Sequence, residues 1–581
     1  MNSAMNAPMK APMKAPMNAA VFRVENLRVG FADDAGAMNP LVDLSFWTPA
    51  SGVLAVVGAS GAGKSLTMRA LGGVLPDGLT ASGRVTLPDG RVRELGAGMT
   101  DAARAPGPDI LYLPQSASAA LPPLERVGDG LAASARAGRG VSRSAGEAAQ
   151  SGSADVNALV DEALCRVGLT DTDRIRRAYP TELSGGMLQR VLHAHVRLLK
   201  PQILLADEPT SALDVTNRLR VLRHLKHLAR ETGMTVVMVT HDLALARAVA
   251  NRIVVVERGR IAETFETDGM DGTDAFTDAQ TPAGRALAEA FASECRAAEA
   301  FLGEGAAGGA EPNAFAELAP APAKSGSSSP RPPLLEVRNV SLTVSGRPGW
   351  NPFRRSGTAP RRILDDVSLT LMRGEAVAVV GASGAGKSTL GRVILGLETP
   401  TSGGTAEHPD GGALRKTVVF QDSGDAVNPT WTIGRIVNEA AAVRGEKLSA
   451  EEVANLLVSV GLPASYAGRH PHEVSGGELQ RAALARAMAA KPDLTVFDEA
   501  LASLDASVRD DVTELLLTLK RPDETWLFIT HDLVSAARLC GRVVVMEEGR
   551  VVESVRSSDL KLAKSPALRR LLKDAAELYG H

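Results

Sequence analysis

Two short stretches of the sequence contain residue types that bind phosphate, and the two are identical. Residues 58–65 and residues 381–388 both read GASGAGKS. Glycines let a loop curl around an anion without steric clash, and the N–H groups at the start of a following helix favour negative charge. A closing lysine and serine can reach the β- and γ-phosphates and a magnesium ion. We therefore expect two nucleotide-binding loops, with contacts from Gly58, Ser60, Gly61, Gly63, Lys64 and Ser65 and from Gly381, Ser383, Gly384, Gly386, Lys387 and Ser388.

Each half of the chain also contains an apolar segment that ends in two adjacent acids, LLADE at 204–208 and LTVFDE at 494–499. An aspartate at a strand end can join the Mg²⁺ shell, and a glutamate beside it can polarise the attacking water. An ordinary acidic turn would look the same, but the nearby phosphate loop favours the catalytic interpretation. The predicted metal ligands of this kind are Asp207 and Asp498, and the predicted catalytic acids are Glu208 and Glu499.

The elements around each loop fit this chemistry. Apolar runs, VLAVV at 53–57 and AVAVV at 376–380, precede the two loops, and helical stretches follow them. A continuous apolar run indicates a buried parallel strand. Strand, glycine-rich loop and helix are the context that a phosphate-binding loop requires.

The order of motifs repeats along the chain. TELSGGMLQR at 181–190 matches HEVSGGELQR at 472–481, and VVMVTHDL at 236–243 matches WLFITHDL at 526–533. Repetition over so long a period indicates two homologous domains. We predict a low-complexity tail, a first domain, an acidic and helical then Ala/Pro/Gly/Ser-rich linker, a second domain and a helical tail. Their predicted bounds are 1–19, 20–264, 265–333, 334–558 and 559–581.

The composition limits the possible locations and partners. The chain has 581 residues and a net charge of −3, which argues against a protein that coats nucleic acid by bulk charge. It has three widely spaced cysteines, as expected of inert thiols in a reducing compartment. No stretch approaches the length of a membrane span, and the proline-rich N-terminus lacks the apolar core of a signal peptide. We therefore expect a cytoplasmic protein.

The repeated motifs resemble those of the ABC ATPases. SGGMLQR and SGGELQR are similar to the LSGGQ signature of that family, and the SALD, ASLD and TH segments complete its pattern in both halves. The resemblance implies an α/β fold of tandem ABC-type P-loop NTPase domains. Each domain would have a RecA-like core, an antiparallel β subdomain and a helical signature subdomain. It also implies ATP and Mg²⁺ as ligands and ATP hydrolysis as the activity.

In this family each ATP site is shared between two domains that face head to tail. The resemblance therefore implies that residues 58–65 and signature residues 475–479 form one ATP site. Residues 381–388 and 184–188 would form the other. The implied γ-phosphate contacts at the helix starts are Ser184, Gly185, Gly186, Ser475, Gly476 and Gly477. The resemblance also assigns Gln115 and Gln421 to the Q-loops, which contact Mg²⁺ together with Ser65 and Ser388. It assigns His241 and His531 to the switch position.

Two further features remain open at the sequence level. Phe31, Trp350 and Phe353 could each stack on adenine, and core packing or a loop anchor explains them at least as well. His193 and His195 suggest a metal pair, but positions two apart on a helix face different directions, so a packing role is favoured.

A pair of ABC ATPases without membrane segments resembles the motor of an importer, and here the peptide/nickel group. The chain looks most like a fusion of two nickel-import ATPases. The DEA sequence at 498–500 resembles that of the nickel type, and the tails typical of the peptide type are missing. These features favour import of a metal or metal chelate over import of peptides. The implied partners are two membrane permeases and an extracytoplasmic substrate-binding protein, at the cytoplasmic face of the inner membrane. No nucleic-acid partner is expected.

Two other classes of tandem ABC protein fit the sequence less well. Those that act on ribosomes carry a long charged helical arm between their halves and usually lack the TH histidine. Here the linker at 304–333 has no Lys/Arg-rich hairpin. DNA-repair ABC ATPases need large coiled-coil or zinc insertions, and the insertions expected here, within 97–155, are short and contain no CxxC.

Overall fold

The computed structural model describes most of both repeated halves. The described residues are 21–32, 38–59, 61–96, 109–115, 117–138, 153–183, 185–210, 215–267, 276, 278–302, 333–344, 361–409, 413–421, 423–424, 426–502, 504 and 506–579. Several sequence predictions lie outside these residues. They are the tail at 1–19, most of the 97–155 insertions, most of the linker at 304–333, and Ser60, Ser184, Trp350 and Phe353.

Contacts divide the chain into two compact units, with the boundary between Ala288 and Glu289. Unit 1 comprises Met1–Leu213 and Arg218–Ala288, and unit 2 comprises Asp214–Asn217 and Glu289–His581. Each unit combines a six-stranded sheet with a separate antiparallel sheet and with helices. This architecture agrees with the predicted α/β fold, in which each domain has a sheet core, an antiparallel β subdomain and a helical subdomain.

The strands of unit 1 form sheets of four and six strands, in the orders β2-β1-β4-β5 and β10-β9-β3-β8-β7-β6. The strands are β1 (Val21–Ala32), β2 (Met38–Pro49), β3 (Val53–Val57), β4 (Leu79–Thr86), β5 (Val92–Leu95), β6 (Ile110–Leu113), β7 (Ile203–Asp207), β8 (Thr235–Val239), β9 (Arg252–Glu257) and β10 (Arg260–Glu266). Every residue of β3, β7 and β8 is buried, because helices cover both faces of a parallel sheet.

The helices of unit 1 connect these strands. They are α1 (Lys64–Leu71), α2 (Ala117–Ala120), α3 (Val127–Gly138), α4 (Ser153–Arg166), α5 (Thr172–Arg177), α6 (Gly185–Leu199), α7 (Val215–Thr232) and α8 (Leu243–Val249), with a 3₁₀ turn at Pro180–Glu182. A further helix, α9 (Pro282–Leu302), contains the boundary between the units. Helices α3 to α6 form the helical part of the unit.

The strands of unit 2 repeat this plan, in the orders β12-β11-β14 and β15-β16-β17-β13-β18-β19. They are β11 (Pro333–Val344), β12 (Arg361–Met372), β13 (Ala376–Val380), β14 (Ser402–Glu407), β15 (Lys416–Val419), β16 (Leu494–Asp498), β17 (Thr525–Ile529), β18 (Arg542–Glu547) and β19 (Arg550–Arg556). Strands β15, β16, β17, β13 and β18 are parallel, and β19 is an antiparallel edge strand.

The helices of unit 2 also follow the first unit. They are α10 (Lys387–Leu395), α11 (Ile433–Ala442), α12 (Ala450–Ser459), α13 (Gly476–Ala489), α14 (Ala506–Leu519), α15 (Leu533–Leu539) and α16 (Pro566–Tyr579), with 3₁₀ turns at Ala464–Gly468, Pro471–Glu473 and Ser557–Leu562. Among the described residues, no helix is both long enough and apolar enough to cross a membrane.

The second half of α9 belongs to unit 2 and packs there. Glu294 lies 3.4 Å from Arg509 of α14 and accepts a hydrogen bond of 3.3 Å from the Tyr579 hydroxyl of α16. Phe291 stacks on the Tyr579 ring, with 6.5 Å between the ring centroids. The last helix of unit 2, α16, therefore packs against α9, which ends about thirty residues before β11, the first strand of the unit.

The topology of each parallel sheet gathers the predicted motifs at one edge. In unit 1, β3 leads into residues 58–65, β7 ends at Asp207, β8 leads to His241 and β6 leads to Gln115. These four strands are neighbours in the sheet, and the carboxyl ends of parallel strands meet at the same edge. The equivalent strands of unit 2 are also adjacent.

Candidate functional site

The two glycine-rich loops have the same backbone geometry. In each loop the glycine before the lysine has a left-handed backbone, with φ of 97° at Gly63 and 94° at Gly386, and the helix begins at the next residue. The Lys64 Nζ donates to the carbonyls of Gly58 and Ala59 at 2.6 and 2.9 Å. The Lys387 Nζ donates in the same way to residues 381 and 382, at 2.9 and 3.0 Å. Each ammonium group is thus folded back over its own loop.

The loops are closely packed at their start and open near their middle. A Cβ atom on Gly58 would lie 2.1 Å from the Val256 carbonyl oxygen, and one on Gly381 would lie 2.2 Å from that of Met546. Only glycine allows the backbone to approach the neighbouring strand so closely. Open space surrounds the next glycine of each loop, Gly61 and Gly384, where a Cβ atom would have no neighbour within 4 Å. This space is where an anion could approach the loop.

A serine and an aspartate meet beside each loop. The Ser65 hydroxyl donates to Asp207 Oδ1 at 3.0 Å, and the Ser388 hydroxyl donates to Asp498 Oδ1 at 2.8 Å. Burial raises the pKa of both aspartates, and the serine hydrogen bonds oppose this rise. A cation placed between hydroxyl and carboxylate would offset that cost of burial.

The glutamate that follows each aspartate is held in a left-handed backbone conformation. Its φ is 48° at Glu208 and 51° at Glu499. Such values are uncommon outside glycine, and they mark positions that the surrounding structure over-determines. Each of these glutamates directly follows the last residue of its strand, Asp207 or Asp498.

Both carboxylate oxygens of Glu208 have partners. Gln115 Nε2 donates to Oε2 at 2.8 Å, and His241 Nδ1 lies 3.3 Å from Oε1. Burial acts to raise the pKa of Glu208, but His241, Lys64 and Gln115 together bring it below its ordinary value. This carboxylate is therefore ionised at neutral pH, as a base requires.

In unit 2 the same groups converge with a looser spacing. His531 Nδ1 lies 3.6 Å from Glu499 Oε1. Gln421 follows β15 as Gln115 follows β6, two residues beyond the end of the strand. The structure thus brings the phosphate loop, the acid pair and the histidine together in each unit.

The signature segments begin helices, as predicted. In unit 2, Ser475 precedes α13, and its hydroxyl accepts a hydrogen bond from the Glu478 N–H at 3.3 Å. Glu478 in turn accepts one from the Ser475 N–H at 2.7 Å. A Cβ atom on Gly476 would have no neighbour within 4 Å, so this helix start is accessible. In unit 1, α6 begins at Gly185, which is followed by Gly186.

Sequence reasoning did not assign a role to the glutamine that lies three residues after each signature glycine pair. Gln189 is buried and donates from Nε2 to the carbonyl of Pro209, directly after the acid pair. Gln480 is buried too and donates to the carbonyl of Ala500 at 2.8 Å. Each glutamine joins a signature helix to the residue that follows the acid pair of its own unit. Its repetition in both halves was the signal that could have revealed it.

The residues beside each loop fit a magnesium ion. A serine hydroxyl, an aspartate carboxylate and a glutamine side chain supply oxygen ligands of the kind that Mg²⁺ prefers. In unit 1 these are Ser65, Asp207 and Gln115, which cluster around the acid pair. Among the described residues, no group of three or more His, Cys, Asp and Glu side chains could hold a metal ion.

The remaining candidates take different positions. His193 is buried in α6, and His195 Nδ1 lies 2.8 Å from the Ser134 hydroxyl of α3. Burial lowers the pKa of both imidazoles to about 4. These contacts place both histidines in the packing of the helices. Phe31 lies near the end of β1 with 55% of its surface exposed, so its ring is accessible to a ligand.

Comparison with known proteins places the chain in a family. The ABC transporter family model matches residues 41–211 and again residues 364–502. This chain belongs to the ABC transporter family. It is an ATPase of that family with two ATP-binding domains, which confirms the prediction from the repeated motifs.

Relatives of this ABC ATPase match it across nearly its full length. The glutathione import ATP-binding protein GsiA of Escherichia coli K12 is 33% identical over 582 residues, covering 95% of this chain and 89% of that protein. GsiA of Shigella sonnei is 33% identical over 584 residues with the same coverage. Among solved structures, an archaeal ribosome recycling factor in complex with a ribosomal stalk protein is similar to 95% of this chain, with a TM-score of 0.56 and 19% identity. That likeness shows the fold alone.

Proposed function

We propose that this chain is the ATP-hydrolysing subunit of an ABC importer. It would act at the cytoplasmic face of the inner membrane, with two integral-membrane permeases and an extracytoplasmic substrate-binding protein. Support comes from the import ATP-binding proteins that match 95% of the chain in a single alignment. The observation that carries the catalytic part is the pairing of Glu208 with His241 beside the Ser65–Asp207 pair.

The proposed ATP sites are composite. The loop, acid pair and histidine of one unit would bind the nucleotide, and the signature helix of the other unit would close on the γ-phosphate. The accessible start of α13 supports this role, because helix N-termini bind anions. ATP would then hold the two units together, and hydrolysis would release them.

The chain's own residues account for the proposed chemistry. A water oxygen attacks the γ-phosphorus, its proton passes to the Glu208 or Glu499 carboxylate, and the bond to the ADP oxygen breaks. The ammonium groups of Lys64 and Lys387 offset the phosphate charge. His241 and His531 orient the glutamates and contact the γ-phosphate.

The metal sites would be formed by Ser65, Gln115 and Asp207 and by Ser388, Gln421 and Asp498. When bound there, Mg²⁺ supplies positive charge to the β- and γ-phosphate oxygens. The serine and aspartate of each set already contact each other, so the chain presents both ligands together.

For the substrate we propose small peptides, because glutathione is a tripeptide and the import relatives are named for it. A metal or metal chelate is the second candidate. The DEA sequence that ends at Ala500, where unit 1 has Pro209, resembles the nickel-import type.

Uptake measurements in cells that lack the gene test the proposal. Labelled glutathione, a labelled dipeptide and labelled nickel, free and chelated, would be offered to cells complemented with the wild-type chain or with E208Q/E499Q. Glu162→Gln is the matched control, since it makes the same chemical change on the exposed face of α4. We expect peptide uptake to require the wild-type or control chain.

Each outcome assigns the substrate or rejects the importer. Loss of nickel uptake alone would replace the peptide with a metal substrate. If no labelled solute depends on the chain and the purified chain sediments with ribosomes, the importer proposal is wrong.

A further inference from the structure

A tyrosine in unit 1 contacts the predicted metal-binding aspartate. Tyr112 lies in β6 opposite Leu205 of β7, and its hydroxyl donates to Asp207 Oδ2 at 3.2 Å. Ser65 donates to the other oxygen, Oδ1, at 3.0 Å. Both oxygens of this carboxylate are therefore held by hydroxyl groups of the protein.

Unit 2 has a different side chain at the matching position. Val418 lies opposite Val496, which precedes Asp498 by two residues, just as Leu205 precedes Asp207. A valine side chain cannot donate a hydrogen bond. The Tyr112 contact therefore distinguishes the first acid pair from the second.

The space for the tyrosine ring comes from a second difference between the units. Gly72 follows Lys64 by eight residues, and a Cβ atom there would lie 2.9 Å from Tyr112 Cβ and 3.2 Å from its Cγ. Leu395 follows Lys387 by the same interval, and it packs with Val418 against the hydrophobic core of unit 2. Unit 1 thus has a small and a large residue at these two positions, Gly72 and Tyr112. Unit 2 has two residues of medium size there, Leu395 and Val418.

We propose that Tyr112 is a positioning residue of the first ATP site, where its hydroxyl fixes the Asp207 carboxylate for Mg²⁺. This inference rests on the proposed function, in which Asp207 binds the metal. A carboxylate that is already oriented loses less freedom when it binds a cation. Hydrogen bonds to metal ligands are typically worth about 10–100-fold in metal affinity or activity.

The test isolates the first site and measures metal binding directly. A full-length K387A chain would retain one intact nucleotide loop. Mn²⁺ would be titrated by electron paramagnetic resonance in the presence of saturating non-hydrolysable ATP analogue, with and without Tyr112→Phe. We expect the Mn²⁺ dissociation constant to rise about 10-fold, while analogue binding without metal and the melting temperature stay unchanged.

Two further variants make the result specific. Tyr179→Phe removes a hydroxyl from a partly exposed ring elsewhere in unit 1 and should leave Mn²⁺ binding unchanged. Gly72→Ala should displace the Tyr112 ring and weaken Mn²⁺ binding, but should add little in the Tyr112→Phe chain, because both changes disturb the same contact.

The outcomes separate this inference from the proposed function. Equal Mn²⁺ affinities with and without the Tyr112 hydroxyl, in chains that still bind the analogue, would overturn the positioning role and leave the ATP site intact. Failure of the parent K387A chain to bind the analogue would overturn the ATP site on which the inference rests.

Discussion

Gln115 Nε2 donates a hydrogen bond to Glu208 Oε2 across 2.8 Å, which connects the segment after β6 to the acid after β7. His241 lies against the other carboxylate oxygen. A general base accepts a proton through an oxygen that faces the attacking water. Because each carboxylate oxygen can accept more than one hydrogen bond, a water molecule can bind to Glu208 while both contacts persist.

Replacement of the catalytic acids should stop hydrolysis without preventing nucleotide binding. General-base assistance contributes about 10²–10⁴-fold, so E208Q/E499Q should lower phosphate release by that factor. The amide keeps the shape of the carboxylate, so equilibrium binding of ATP should remain. The Glu162→Gln chain should hydrolyse ATP at the wild-type rate. Phosphate release above about one tenth of the wild-type rate would contradict the assignment of the two glutamates.

Loss of one loop lysine should halve the nucleotide stoichiometry. The Lys64 ammonium is poised over its own loop and would offset phosphate charge there. Lys64→Ala should reduce binding of a non-hydrolysable ATP analogue from two molecules per chain to one, measured by equilibrium dialysis. Lys447→Ala, a change at an exposed position, is the control and should bind two. Two bound molecules in Lys64→Ala would show that the lysine is not needed for binding.

An added methyl group at the start of a loop should distort it. In Gly58→Ala the new Cβ atom would lie 2.1 Å from the Val256 carbonyl oxygen, so the loop must move away from β9. We expect at least a ten-fold loss of nucleotide affinity at the first site in the K387A chain, by the same binding assay. Gly404→Ala places its methyl group in open space and should have no effect. An unchanged affinity in Gly58→Ala would mean that the loop position does not govern binding.

Truncation of Gln480 should destabilise unit 2. Its side chain is buried and donates to Ala500, so Gln480→Ala leaves a buried carbonyl without that donor. Such a loss costs about 1–3 kcal/mol, which urea denaturation would detect. Val458→Ala, on an exposed position of α12, should change stability much less. Equal stabilities of the two variants would argue against a structural link between the signature helix and the acid pair.

Unit 1 should lose stability on acidification. Burial, and then the nearby His224, lowers the pKa of His193 to about 4 in the folded chain, from an ordinary value of 6.5. Between these values the unfolded chain binds more protons, so stability falls as pH decreases from 6.5 toward 4. The expected loss from this group is about 2 kcal/mol at pH 5.

A pair of variants tests this pH dependence. His193→Leu should reduce the stability difference between pH 7 and pH 5, measured by urea denaturation. His227→Gln changes an exposed histidine of α7 and should keep the wild-type dependence. The same loss of stability in His193→Leu and in the wild type would assign the acid sensitivity to other groups.

The features that the sequence revealed are those encoded by local repetition. Apolar runs, glycine loops and acid pairs recur in order, so both ATP-binding domains and the residues at the sheet edge could be predicted. The contact between Tyr112 and Asp207 could not, because a tyrosine within an apolar strand looks like core packing. Its hydroxyl finds a partner only once β6 and β7 pair in register.

The hydrogen bonds from Gln189 and Gln480 to backbone carbonyls also depend on tertiary structure. Each lies on a helix that is distant in sequence from the carbonyl it contacts, and no local pattern specifies that contact. The boundary between the two units, at Ala288, falls within α9, in the helical first part of the predicted linker at 265–333.

The size exchange between Gly72–Tyr112 and Leu395–Val418 has an evolutionary consequence. If the two halves arose from one ancestral domain, at least one of these pairs has changed since the duplication. Insertion of a tyrosine opposite a leucine would overfill the site, and a glycine opposite a valine would leave a cavity, so either single change lowers stability. An exchange of one pair for the other by single substitutions would therefore pass through a less stable intermediate, and reverting one residue of a pair today should be harder than reverting both.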